Sequence, residues 1–368
     1  MGTSSQLQIA VLPGDGIGVE VMDACLQVLE ALARRTDLRF HWNRLPGGAN
    51  AYRETGSAFT EEAMRECERA DAILFGAMGL PDVRYPDGTE IAPQLDIRVH
   101  LELYAGVRPI RIIPGLPGPL RDARAADIDF VILLEQTEGL YWSRGKGVMS
   151  DPDTAVDTMR ITRAGSERVF DYAFRLARAR RSRGRPGRVT CVGKSGVLLS
   201  QAFMHRVFSD VSSRQPDVRS DYCNVDAMAL NFVRQPWDYD VIVTENMFGD
   251  ILSDLGAGLI GGMGLAPSGD IGDRHALFQP CHGTAPDIVG TGKANPTAML
   301  LSAAMMLEWL GEQRGESRFN TAATLLDESV RAVFTGGRIR PFEFGGRDGT
   351  QAITAAVLDR LATSRASA

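Results

Sequence analysis

Asp250 and Asp254, in the run NMFGDILSD over residues 246–254, stand four residues apart and would project from one face of a helix. Carboxylates so paired can share a divalent cation, and oxygen ligands of this kind suit Mg²⁺ or Mn²⁺ rather than zinc. A solvated acidic helix face is the other reading, although the neighbours Ile251, Leu252 and Leu255 are apolar. Arg98 and Arg108 flank LELYAGV in RVHLELYAGVRP. Converging on one cleft, two guanidinium groups hold carboxylates bidentately; apart, they are surface charge. GDGIG places Gly14, Gly16 and Gly18 in a turn, but Val19 occupies the last position of a GxGxxG fingerprint, so the dinucleotide reading fails on its own pattern. A structural turn and the close approach of a ligand both remain open. CHGTAPDIVGTGKANP, residues 281–296, has neither helical nor strand periodicity. Long polar loops of this kind carry function in compact domains. An aspartate such as Asp287 can accept hydrogen bonds from both ribose hydroxyls and repel a 2′-phosphate, which favours NAD over NADP.

Such groups need a scaffold, and the chain supplies one. Short apolar runs at 7–12, 72–75, 130–134, 189–192 and 241–244 alternate with helical patterns at 20–34, 167–180 and 298–310. Alternation of this kind predicts α/β architecture with a mainly parallel core. Pro and Gly clusters at 109–119 and 256–264 are candidate crossings, suggesting a middle segment inserted into a domain built from both ends. With 368 residues, 44% of them hydrophobic, the chain can bury a large core. A net charge of -6 argues against nucleic acid or an anionic membrane as the main partner. The start, MGTSSQLQIAVLPGDG, carries no targeting pattern, and no run reaches the roughly 18 to 20 apolar residues of a membrane span, so a cytoplasmic enzyme is expected. Cys25, Cys67, Cys191, Cys223 and Cys281 lack CxxC spacing and read as reduced thiols. Lysine occurs only at 146, 194 and 293, so a lysine within a motif stands out.

Taken in order, LPGDGIGVEVM, ADAILFGAMG, LYAGVRPIR, TEGLYWSRGKG, VTENMFGDILSD, CHGTAPDIVGTGKANP and GGRDGTQAITAAVLDRL resemble the β-decarboxylating dehydrogenases: the isopropylmalate, isocitrate, homoisocitrate, tartrate and D-malate enzymes. The resemblance runs nearly end to end. It implies a two-domain fold that is not a true Rossmann fold, with residues 1–103 and 261–368 forming an NAD-binding domain and 104–260 a second domain carrying the dimer interface. It implies a homodimer with shared active sites, a metal held by Asp250, Asp254 and the other subunit's Asp226, and Tyr141 and Lys194 as catalytic groups. NAD would meet His282, Gly283, Thr284, Ala285, Asp287 and Asn295, with Ile17. The implied reaction is NAD-dependent oxidation of a 3-substituted malate followed by loss of carbon dioxide. Arg98 and Arg108 would hold the substrate.

Departures from the pattern bear on the substrate. Leu134 stands where the family carries a third carboxylate-binding arginine, Gly196 replaces the asparagine of a KAN pattern, and Gly106 replaces an asparagine near the second arginine. One buried charge-assisted contact is worth about 1.5 to 3 kcal/mol, so the expected effect on an ordinary dicarboxylate is large. The leading expectation is a decarboxylase whose substrate meets Leu134. A tartrate or D-malate dehydrogenase, oxidation without decarboxylation, and a non-catalytic regulatory subunit are the alternatives, the last opposed by the survival of Tyr141, Lys194 and the aspartates. The substrate-selecting segment TEIAPQLDIR mixes apolar Leu95 and Ile91 with polar Gln94 and selects no single substrate.

Overall fold

Near-continuous apolar runs have no polar face to give to water, so they form strands covered on both sides. The computed structural model describes residues 6–363. Its strands are β1 (Leu7–Gly14), β2 (Phe40–Arg44), β3 (Ala72–Ala77), β4 (Ala105–Arg111), β5 (Asp129–Glu135), β6 (Val148–Asp151), β7 (Thr154–Val156), β8 (Arg188–Gly193), β9 (Arg219–Asn224), β10 (Val241–Thr244), β11 (Pro267–Ile271) and β12 (Ala276–Pro280). Strands β6 and β7 form a separate antiparallel hairpin; the other ten build one sheet in the order β2-β1-β3-β12-β11-β4-β5-β10-β8-β9. Only β11 with β12, β11 with β4 and β4 with β5 pair antiparallel within it. The architecture is therefore α/β with a mostly parallel sheet, and its strand order is not that of a dinucleotide-binding Rossmann fold.

The helices are α1 (Ile17–Thr36), α2 (Ala49–Thr55), α3 (Glu61–Arg69), α4 (Pro93–His100), α5 (Arg163–Ser182), α6 (Leu199–Ser213), α7 (Val225–Arg234), α8 (Asn246–Leu259), α9 (Thr297–Arg314), α10 (Ser317–Ala332) and α11 (Thr350–Thr363). In α1 the buried residues Val21, Cys25, Val28, Leu29 and Leu32 recur at helical spacing, giving the apolar stripe that packs on β1 and β3. Burial on nearly every side of α9, from Thr297 to Gly311, makes it a central core helix between the sheet and α10. No helix among the described residues is long and apolar enough to cross a membrane. Cys25, Cys67 and Cys191 are buried, and none of the five cysteines is disulfide-bonded.

Strands from residues 1–103 and 261–368 occupy one half of the sheet and those from 104–260 the other, joined by the antiparallel pair β11–β4. The GDGIG loop is a structural turn of this scaffold. A Cβ on Gly14 would lie 2.0 Å from the Ala77 carbonyl oxygen, and one on Gly16 2.2 Å from that of Thr284. Asp15, between them, is fully buried and accepts from the backbone N–H of Ala49, Asn50 and Gly79. Glycine here lets three segments meet around one carboxylate.

Candidate functional site

A cavity of about 620 Å³ opens where the two halves of the sheet meet, lined by residues from α4, β4, the turn at Tyr141, α8 and the segment after β12. Pro93 starts α4, where its missing N–H costs no hydrogen bond, and the helix then presents Gln94, Leu95 and Arg98 to the cavity. Glu245 caps α8 by accepting from the N–H of Met247 and Phe248, which ties the helix to the end of β10. From that anchored helix Asp250, Ser253 and Asp254 line the same cavity, and β4 contributes Arg108.

Asp250 and Asp254 are close enough to repel. Burial first, and then the charge of Asp250, push the Asp254 carboxyl above the ordinary carboxylate range, while Arg108 opposes the shift. Tyr141 donates its hydroxyl to Asp250 Oδ2 at 2.8 Å. Burial and the adjacent Asp250 charge raise the Tyr141 pKa well above that of a free phenol, so it keeps its proton at neutral pH. Among the described residues no group of three or more His, Cys, Asp or Glu side chains converges in a metal-holding arrangement. The pair on α8 supplies oxygen donors and a like-charge contact that Arg108 only partly offsets, which fits a divalent cation whose remaining ligands come from outside this cluster.

Lys194 and Asp226 lie outside this cavity. Lys194 follows the end of β8, Asp226 sits in the first turn of α7, and Lys194 Nζ meets Asp226 Oδ1 at 2.5 Å. That hydrogen bond, the largest cause, lowers the Asp226 carboxyl pKa. Both side chains reach solvent, at 34% and 67% exposure. On α7 beside them Leu230 and Val233 are exposed, as are Ile251 on α8 and Val148, Met149 and Val156 on the β6–β7 hairpin.

The loop after β12 divides by role. His282 and Gly283 line the cavity. Burial lowers the His282 pKa; its Nδ1 meets the Gly283 carbonyl at 2.9 Å, and its buried Nε2 has no hydrogen-bond partner among the described residues. Thr284 instead holds the scaffold: its hydroxyl donates to the Gly79 carbonyl, and its own carbonyl accepts from Ile17 N–H. Ala285 adopts a left-handed conformation at φ 38°, turning the chain into the short helical turn Pro286–Ile288, on which Asp287 is exposed. Asn295 is buried with both ends engaged, donating to Glu343 Oε1 and accepting from Thr297 N–H at the start of α9.

Leu134 does not line the cavity. It is 1% exposed on β5, opposite Gly106 on β4, and a Cβ on Gly249 of α8 would lie 2.4 Å from its own Cβ. The slot is filled by packing between strand and helix. Gly196 has open space around it.

Asp270 escaped the reading from sequence. Fully buried on β11, it meets Arg98 Nε at 2.7 Å and Arg108 Nη1 at 3.0 Å. Gln136 and Gln279 donate to it as well, at 2.9 and 3.0 Å. Burial opposes its ionisation, but the two guanidinium groups outweigh that and hold its carboxyl below the ordinary range. The available signal was a lone acid within the buried run PSGDI. A Cβ on Gly106 would fall 2.2 Å from Gln136 Nε2, so glycine there makes room for the glutamine.

The family model described as isocitrate/isopropylmalate dehydrogenase matches residues 8–359. A 3-isopropylmalate/3-methylmalate dehydrogenase of Methanocaldococcus jannaschii is 40% identical over 345 residues, covering 91% of this chain and 96% of that relative. A probable tartrate dehydrogenase/decarboxylase of Agrobacterium vitis is 38% identical over 369 residues, covering 98% and 99%. Among solved structures, isocitrate dehydrogenase from Methylococcus capsulatus superposes with a TM-score of 0.85 at 34% identity, over 97% of this chain and 99% of that one.

Proposed function

The chain belongs to the isocitrate/isopropylmalate dehydrogenase family, and from that premise we propose that it catalyses the NAD-dependent, Mg²⁺- or Mn²⁺-dependent oxidative decarboxylation of a 3-substituted malate. The observation that carries this reading is the convergence of Arg98 and Arg108 with Asp250, Asp254 and Tyr141 on one cavity. Guanidinium groups bind substrate carboxylate, and the aspartates hold the cation beside them. The cation that Asp250 and Asp254 would hold would supply positive charge to acidify the substrate hydroxyl and stabilise the enolate left by decarboxylation, and NAD held at the His282 loop would supply the hydride acceptor.

The chain's own groups then move protons. Lys194 takes the hydroxyl proton, and Tyr141, which keeps its proton at neutral pH, returns one to the enolate carbon. Since Lys194 and Asp226 stand outside the cavity of their own chain, they serve the site of a second copy. The exposed apolar residues of α7, α8 and the β6–β7 hairpin give that copy its contact surface. A homodimer with shared sites follows from this account. His282 and Asp287 contact the adenosine, and Thr284, Asn295 and Ile17 keep their loop in shape.

Gln94 favours a second reading for the substrate. Its Oε1 is buried beside the cavity without a donor among the described residues, which suits a hydroxyl on the third carbon and so a tartrate-type acid. The test is an assay with Mg²⁺ that follows NADH and carbon dioxide together on 3-isopropylmalate, 3-methylmalate, D-malate and tartrate. NADH and carbon dioxide rising in step, and abolished by a chelator, is the expected result. NADH without carbon dioxide would make the enzyme a simple dehydrogenase, and no turnover on any of the four would overturn the proposal.

A further inference from the structure

An unusual amount of the protein is arranged around the carboxylate of Asp270. Its Oδ1 accepts from Arg108 Nη1 and Gln136 Nε2, and its Oδ2 from Arg98 Nε and Gln279 Nε2. Both oxygens are satisfied, so the carboxylate has little left to offer a ligand. What it does is fix the two arginines. Arg98 is tied through Nε alone, so its terminal Nη1 and Nη2 make no hydrogen bond with another described residue. Arg108 is tied through Nη1, which also meets the carbonyls of Val107 and Gly269, leaving Nε and Nη2 in the same condition. Each guanidinium therefore keeps N–H groups for the cavity that both residues line.

Charge follows from the same contacts. Two guanidinium groups carry two positive charges, and the ionised Asp270 between them cancels one. No third cation is added from β5, because Leu134 occupies that position and packs away from the cavity. The lining also includes Glu90 and Asp157, which add negative charge, and Arg144, whose own charge is paired with Asp96 at 2.6 Å. A substrate carboxylate at the arginine pair is matched in charge; a further carboxylate on the third carbon finds only Arg144, already paired with Asp96, beside the acids Glu90 and Asp157.

We propose that Asp270 is a specificity-determining positioning residue that sets the arginine pair to one net positive charge, restricting the site to 2-hydroxy dicarboxylates whose third-carbon substituent is uncharged and rejecting tricarboxylates. This rests on the reading of the cavity as a hydroxy-acid site. Gly106 and Gln136 belong to the same device, since glycine at 106 gives the Gln136 amide its path to Asp270.

Direct binding tests the proposal without relying on turnover. Calorimetry on the purified full chain with Mg²⁺, using D-malate, 3-isopropylmalate and isocitrate, is run on wild type, Asp270→Asn and Gln136→Leu, with melting temperatures recorded for each. Wild type is expected to bind a dicarboxylate at least about tenfold tighter than isocitrate, a difference of about 1.4 kcal/mol. Asp270→Asn restores the second positive charge and is expected to shift that ratio towards isocitrate by about tenfold or more. Gln136→Leu removes a neutral donor and should leave the ratio where it is, which separates charge from mere support. An unchanged ratio in a folded Asp270→Asn protein overturns the proposal, as does wild type that prefers isocitrate. Should Asp270→Asn not fold, Gln279→Glu adds a negative charge at the same point, and dicarboxylate binding that fails to weaken overturns it equally. Absence of binding by every acid to wild type is a different result, which defeats the underlying hydroxy-acid reading.

Discussion

The Arg98–Asp270–Arg108 cluster and the Lys194–Asp226 pair use the same kinds of group under opposite conditions. The first is buried, joined across 172 residues of sequence and supported by two glutamines. The second is exposed, and its members point outside the cavity that lies within their own chain. The carboxylate-binding part of the site is thus complete in one polypeptide and is joined there by Tyr141, whereas Lys194, the proposed base, lies apart from it. A buried cluster can hold geometry alone because its charges have no water to turn to. An exposed pair cannot, and is free to take a new partner.

The contrast is sharpened by removing one member from each side. Arg98→Ala leaves Asp270 buried with half of its charge compensation gone, and breaking such a pair costs about 3–5 kcal/mol. Lys194→Ala breaks an exposed pair worth about 0–1 kcal/mol, yet it removes the proposed base and so activity. Denaturant unfolding of both variants beside wild type checks the order. A larger stability loss for Lys194→Ala would break the comparison.

A smaller effect separates His282 from both regions. Burial lowers its pKa in the folded chain below the value of about 6.5 for a free imidazole. The folded state therefore binds fewer protons than the unfolded state in that window. The corresponding stability is present above about pH 6.5 and is lost as pH falls through the lowered folded value. An NMR titration of the histidine rings should find His282 titrating below the free imidazole value. A folded pKa at or above the free value would contradict the burial of the ring.

Much of this was legible in the sequence, for physical reasons that differ between parts. The strands and helices were readable because burial on both faces leaves continuous apolar runs, as in AILFGA, and one-sided burial leaves a helical stripe, as in α1. Asp250 and Asp254 were readable because a single helix brings them together. Asp270 was not, since its partners come from α4, β4, β12 and the residue after β5, and no local spacing announces them. For the same reason Leu134 reads in sequence as a gap in a substrate clamp, whereas in the fold it fills the space between Gly106 and Gly249. Asn295, expected at the cofactor, engages Glu343 and the Thr297 N–H at the start of α9, contacts that the loop motif alone does not announce.

The claim that one site draws on two chains is tested most directly by mixing two inactive variants, Lys194→Ala and Asp250→Asn, under conditions that exchange subunits. Each hybrid dimer would contain one site with Asp250 from one chain and Lys194 from the other, both intact. Dehydrogenase activity appearing in the mixture, and absent from either variant alone, is the predicted result. Hybrids that form, as seen by native mass spectrometry, yet remain inactive would contradict the account.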